Sequence, residues 1–386
     1  MIRTLTAHTS ELDDVNVAVS EILEQLDLDK NLLKNSAGAI SCYSEFIDAG
    51  IVAALTEKLP FDVIGATTLG VTVPGGVGQL MLSVTVFTSD DIIFSCAVSE
   101  PLKHEAYKQQ LNEAYLKAAS ALPGKPSMMF VFAPLTFNVA GDYMVKTLDE
   151  ISAGIPIFGT LAVDHTQDYS TARTIFNGKT YPDALSMMLI YGDVEPVFSI
   201  ASVSDEKILG QKAIITEAED NVLKGVNGMS VIDYLQSIGL APNRQIEGLN
   251  AIPFIIDFND GTKPATRAIF AITPEGNAVC GGVMPVNATL GIGSLDHDEV
   301  LATTKKASEE ILARQKKNGA FIFSCIVRNL ILGFDVLAEM DVVQNTMNGK
   351  IPFAMSYSGG EICPVYNEEG KLVNRFHNDT IVTCLF

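Results

Sequence analysis

The 386 residues predict an α/β fold: internally repeated helix–strand–helix–strand–hairpin units forming mixed sheets flanked by helices. Three observations carry that expectation. One phrase recurs, as "LPFDVIGATTLG" at 59–70, "IPIFGTLAVDH" at 155–165 and "IPFAMSYSGGEI" at 351–362. A short apolar run precedes each copy. Between run and phrase, apolar residues recur at helical spacing.

Each unit opens with an amphipathic helix. The first runs from Ser10 to about Lys30, with Val15, Val19, Ile22 and Leu26 on one face; the others cover about 103–122 and 298–318. Then come buried strands, "AGAISCY" (37–43), "SMMFVFA" (127–133) and "GAFIFSC" (319–325). A second helix follows in each unit. Its face is Ile47, Ile51, Leu55 and Leu59 in the first, Met144, Leu148 and Ile151 in the second, and Val336, Met340, Val343 and Met347 in the third. Gly154 and Gly349 supply C-terminal caps and Pro60 stops the first. The recurring phrase is the second strand, and two further apolar or alternating runs read as a hairpin, with turns such as "NGK" and "EEGK". The units span about 10–98, 104–192 and 298–385. Residues 193–297 break the pattern with a short helix, "SVIDYLQSIG", and strand-like runs such as "AIPFIIDF", "TRAIF" and "NAVCGGV". A boundary near residue 222 divides the chain into domains 1–222 and 223–386.

Composition narrows the function. With 47% apolar and 19% charged residues the chain is an ordered globular one, and its formal charge of −20 repels phosphate backbones and anionic lipid. Neither nucleic acid nor a membrane is an expected partner. "MIRTLTAHTSELDD" lacks a signal-peptide core, and no apolar run nears the ~18 residues of a spanning helix. A cytoplasmic location with six reduced cysteines is the expectation. "PGGVGQ" lies within a hairpin rather than between strand and helix, so it is a turn and not a nucleotide loop. "DHDE" (296–299) opens a helix, where acids are favoured by the dipole.

"FIFSCIVRN…IPFAMSYSGGEICPVY…NRFHNDTIVTCLF" resembles the C-terminal half of the FIST domain (F-box and intracellular signal transduction). "FDVIGATTLG", "GIPIFGTLAVDH" and "FNGKTYPDALSMML" resemble its N-terminal half, and "TRAIFAITPEGNAV" its central Arg strand. Met355 departs from the pattern, standing where Gly is common, and Leu69-Gly70 replaces Gly-Glu. The resemblance implies a sensory module of the kind that binds a small, amino-acid-like or other polar ligand. It implies a free-standing receiver read by a separately encoded signalling protein such as a kinase or chemotaxis transducer. No cofactor is expected on that reading. One branch of the family binds haem and senses nitric oxide, which is the alternative.

Ligands meet α/β sheets at strand ends. There the chain offers Cys325, Arg328, Asn329, Tyr357, Gly360 and Glu361 in the third unit, Thr67 and Thr68 in the first, and Arg267 from the central segment. Arg328 would hold a carboxylate and Glu361 an amine, or the two would pair with each other as a structural bridge. Thr67 and Thr68 would face a ligand or satisfy strand-end backbone groups. Asp164-His165 reads as a turn or a fixed imidazole, and His377 as a structural hydrogen bond or an iron ligand. Cys325, beside a cation, is the one candidate for a nucleophile.

Overall fold

The computed structural model describes every residue except 121, 123, 137, 167, 241–250 and 315–317. Its first run of elements is β1 (Arg3–Thr9), α1 (Val15–Leu26), α2 (Leu28–Asn31), β2 (Asn35–Cys42), α3 (Glu45–Asp48), α4 (Ile51–Thr56), β3 (Val63–Thr67), the hairpin β4 (Val71–Val73) and β5 (Gly76–Gly78), and β6 (Leu82–Ser89). The second is β7 (Ile93–Val98), α5 (Tyr107–Ala119), β8 (Met128–Ala133), α6 (Gly141–Ser152), β9 (Ile157–Leu161), the hairpin β10 (Thr174–Phe176) and β11 (Lys179–Tyr181), and β12 (Ser186–Tyr191).

The third run starts with β13 (Val197–Ala201) and is interrupted by β14 (Ala213–Glu219), β15 (Val222–Val226), β16 (Met229–Ser230), α7 (Val231–Ser237), β17 (Phe254–Asp257), β18 (Ala265–Arg267), β19 (Ile269–Ile272), β20 (Ala278–Cys280) and β21 (Thr289–Ile292). It resumes with α8 (His297–Leu312), β22 (Ala320–Cys325), α9 (Ile326–Leu332), α10 (Ala338–Met347), β23 (Phe353–Ser358), the hairpin β24 (Glu361–Tyr366) and β25 (Leu372–His377), and β26 (Ile381–Leu385).

Three six-stranded sheets have one layout: β1-β6-β2-β3-β10-β11, β7-β12-β8-β9-β24-β25 and β13-β26-β22-β23-β4-β5. In each, the two central strands are parallel and joined through helix, and the remaining pairs are antiparallel. The hairpins do not return to the sheet of their own run. β4–β5 completes the third sheet, β10–β11 the first and β24–β25 the second, so the exchange closes in a cycle. The interrupting strands form a fourth sheet, β18-β17-β21-β14-β15-β20-β19, with its own apolar core of residues such as Ile215, Leu223, Phe254 and Leu290. Residue 222 opens β15, which pairs with β14 inside this sheet. The chain leaves for it after Ala201 and comes back before His297.

Strand alternation explains the layering. On β8, Met128, Phe130 and Phe132 point to a core shared by all three sheets, while Met129, Val131 and Ala133 meet the helices. Phe130 meets Phe321 at 4.9 Å and Phe87 meets Phe386 at 5.1 Å, so rings from all three runs interlock at the centre. The outer faces are covered by α1 and α4, by α5 and α6, and by α8 and α10.

The helix between β2 and β3 is split in two, because Gly50 turns left-handed (φ 77°) between α3 and α4. Helices α1 and α5 are shorter than their sequence spans, and α8 ends at Leu312; part of its expected end, 315–317, lies outside the described residues. Gly65 and Gly159 let parallel strands close up: a Cβ there would lie 2.3 Å from the Ile40 carbonyl oxygen and 2.1 Å from that of Val131. Met355, paired with Ile322 as Gly65 is with Ile40, instead fills the core under α8 and α10.

Candidate functional site

The ends of the three phrases meet one another. Thr68 Oγ1 donates to the Tyr357 carbonyl (2.9 Å), the Val163 amide to the Thr67 carbonyl (3.2 Å), and the Gly359 amide to the Leu161 carbonyl (2.9 Å). The Arg173 amide donates to Thr67 Oγ1 at 2.9 Å. These threonines therefore close a seam between runs, the backbone-satisfying role open to them from sequence.

Beside the seam lie two buried polar groups of opposite character. Arg328 and Asn329 follow β22 directly and are helical, in α9. Arg328 is fully buried and its guanidinium is occupied. Nε donates to Glu339 Oε1 at 2.9 Å, and Nη2 to the Val300 carbonyl, Thr303 Oγ1 and Thr304 Oγ1 at 2.9, 3.1 and 2.8 Å. Nη1 has one long bond, 3.5 Å, to the Ser202 carbonyl. Glu339 also accepts from Thr304 and Ser324. The bridge that Arg328 makes is thus to Glu339 of α10, not to Glu361. Asn329 Nδ2 donates to the Val336 carbonyl, and the hydroxyl of Tyr357, on β23, is buried with no hydrogen-bond partner.

The second group gathers where β24 begins and β25 turns into β26. Glu361 pairs across the sheet with His377, and Asn378, Asp379 and Thr380 form the turn that follows. All are buried. Thr380 Oγ1 donates to Glu361 Oε2 at 2.7 Å, and its carbonyl accepts from the Cys325 amide at 2.9 Å. The remaining polar atoms are unpartnered: Glu361 Oε1, both carboxylate oxygens of Asp379, Asn378 Oδ1 and His377 Nδ1. An unpaired buried polar atom costs about 1–3 kcal/mol, so five in one place require explanation.

The electrostatics follow from that burial. Glu361 is pushed well above the usual carboxylate range by burial, with the Asp379 charge adding. Burial raises Asp379 to about 7, against the pull of Arg328 and Arg267. Burial lowers His377 to about 3, so its ring is neutral; Nε2 donates to the Cys363 carbonyl at 3.0 Å and Nδ1 keeps a bare lone pair. Burial, Glu361 and Asp379 push the Cys325 thiol well up, the opposite of what a nucleophile needs.

The inserted sheet covers this turn. A Cβ on Gly281 would lie 2.5 Å from Asn378 Oδ1, and one on Gly282 2.6 Å from Arg267 Nε, so the Gly-Gly pair permits the approach. Thr266 Oγ1 donates to the Asn378 carbonyl. Arg267, at the end of β18, donates to the Phe376 carbonyl (2.9 Å) and to Asp142 of α6 (2.8 Å), whose other oxygen accepts from the Val283 amide. Arg375 lies 3.8 Å over the Phe258 ring and bonds Asp260. Arg267 thus latches the insert to the three-sheet body. Gly360 (φ 143°) has no room for a side chain, since a Cβ would lie 2.3 Å from the Phe376 ring.

Two further features stand apart. His165 is partly exposed and stacks on Tyr43 at 4.8 Å, while His377 has Nε2 engaged and its ring enclosed; neither presents a nitrogen on an open apolar face fit for a porphyrin. Open clefts of about 570 and 680 Å³ lie along β1 and its surroundings, lined by residues such as His8 and Glu21 or Arg3 and Asp90, none of them from the turn. No helix among the described residues is long and apolar enough to cross a membrane.

Residues 38–229 match the FIST N domain and residues 233–364 the FIST C domain. The chain belongs to the FIST family. Its matched region contains Glu361, Arg328 and Arg267, while the turn at 377–380 lies just beyond it. No curated protein matches the chain. Of the polar groups in this FIST protein, sequence reasoning named Glu361, Cys325, His377 and Arg328 but passed over Asn378, Asp379, Glu339 and Asp142. The one legible signal was "HNDT", read for its histidine alone.

Proposed function

We propose that this FIST protein is a sensory receiver whose small polar ligand, amino-acid-like in character, is held at the β25–β26 turn. Glu361, Asn378 and Asp379 make the direct contacts, with Thr380 and Cys325 close by. Arg328 and Arg267 act in support, the first by fixing α8, α9 and α10 behind the site and the second by latching the inserted sheet over it. The observation that carries this reading is the set of five unpartnered buried polar atoms on Glu361, its cross-strand partner His377 and the adjoining Asn378 and Asp379.

The turn is enclosed, so ligand exchange requires the inserted sheet to move. Its contacts with the body combine the Arg267 and Arg375 bonds with a small apolar cluster around Ala268, and its main apolar core is separate. Such an interface opens at lower cost than a shared hydrophobic core. A ligand that binds the closed form better than the open one shifts the population towards closure. A separately encoded signalling protein, such as a kinase or chemotaxis transducer, would read the change.

Thermal shift with a panel of amino acids and small carboxylates tests the assignment. At least one compound should raise the melting temperature of the wild type by several degrees, and E361Q should lose that response. A panel without any effect on the wild type, or an undiminished response in E361Q, rejects the reading.

A further inference from the structure

We infer that the group seated at the β25–β26 turn is a protonated amine, so that the ligand is recognised as a cation. This deepens the ligand reading above and rests on it. The unpartnered atoms at the turn are all acceptors once Glu361 and Asp379 are ionised. Asp379 presents two oxygens, Asn378 one and Glu361 one. His377 adds a lone pair, because Nε2 carries its proton to the Cys363 carbonyl and leaves Nδ1 bare.

The cations nearest in the fold are committed elsewhere. Arg267 is bound to Asp142 and three carbonyls, and Arg328 to Glu339, the Val300 and Ser202 carbonyls and two threonines. An anion arriving at Glu361 and Asp379 would meet two acids and find no free fork to grip it. A metal ion fits poorly, since no group of three or more His, Cys, Asp or Glu side chains among the described residues is arranged to hold one. A primary ammonium brings three N–H donors, enough for three of those five acceptors, and a charge opposite in sign to that of the ionised acids.

A charge consequence follows. The burial that favours the protonated forms of Glu361 and Asp379 is offset when a cation enters, so binding expels a proton from the turn. One ammonium is then exchanged for one proton, which leaves one of the two acids protonated and the enclosed turn without net charge in either state.

Isothermal titration of the wild type and D379N with amino acids, their N-acetyl derivatives, methylammonium chloride and sodium acetate decides the matter at matched ionic strength. Circular dichroism and melting curves confirm that D379N is folded. The free amine should bind the wild type at least tenfold more tightly than its N-acetyl form, release protons to the buffer, and lose at least tenfold in affinity in D379N. N-acetyl derivatives or acetate binding as well as the free amine would overturn the ammonium assignment while leaving a polar-ligand site standing. Silence from every compound would remove both.

Discussion

Arg328 and Asp379 are both ionisable, fully enclosed side chains of the C-terminal region, and their surroundings differ in one respect. Both carboxylate oxygens of Glu339 and all three guanidinium nitrogens of Arg328 are hydrogen-bonded, whereas neither carboxyl oxygen of Asp379 is and only one of Glu361 is. A satisfied buried network fixes structure; an unsatisfied one stores a cost that only a bound group, or function, explains. Burial and ionisable side chains are common to both regions. Satisfaction separates them.

The widest test of that contrast is removal of Arg328. R328A leaves Glu339 buried without its counter-charge, and should cost about 3–5 kcal/mol in urea unfolding. A loss below about 1 kcal/mol would erase the distinction between the two regions.

The opposite sign is expected at Asp379, which prefers its protonated form in the fold, near 7, over the unfolded value of 3.8. Between those values the native state holds a proton that the unfolded chain has released. Stability therefore falls as pH rises through roughly 4 to 7, by up to ~1.4 kcal/mol per unit, and the loss is complete above that window. D379N should remove Asp379's share of the slope and leave the part owed to Glu361, gaining roughly 2–4 kcal/mol over wild type at pH 8 and nothing at pH 4. Asparagine also suits the left-handed backbone there (φ 56°). Destabilisation by D379N at pH 8 would mean that the carboxylate has partners after all.

R267A acts on the boundary between the regions. It deletes the bonds to Asp142 and the Phe376 carbonyl and should cost about 2 kcal/mol, with faster hydrogen exchange in β18 and β20 than in β22 or β23. Uniform loss of protection across all four strands would argue against a latch. The smallest change is T304A, which removes one donor to Glu339 and one acceptor of Arg328 while leaving the ion pair, for about 1 kcal/mol. It should leave ligand response intact.

Much of the framework is legible in the chain because burial is periodic. The apolar runs at 37–43, 127–133 and 319–325 are β2, β8 and β22, and helical spacing locates α6 and α10. The hairpin exchange is not legible. Alternation tells which side chains of β4 or β10 face a core, but any neighbouring edge with a compatible register would accept them. The same limit hides β13, whose partner β26 lies about 180 residues further on.

At the site, Glu361 and Arg328 stand out as charges in apolar surroundings. Asp379 does not, because an aspartate between Asn and Thr has the composition of any exposed turn. Its turn is covered by Gly281 of the inserted segment, which lies against the neighbouring Asn378 and approaches only after the insert has docked. Glu339 is concealed in another way: it occupies a helix whose neighbouring Met340 and Val343 already account for a buried face.

A high-resolution crystal structure of the protein grown with the best compound from the panel bears most directly on the turn. The account predicts non-protein density within hydrogen-bond distance of Glu361 Oε1 and an Asp379 carboxylate oxygen, with the Arg328–Glu339 pair unchanged. Ligand density elsewhere, with those oxygens bonded only to ordered water or to protein, would contradict it.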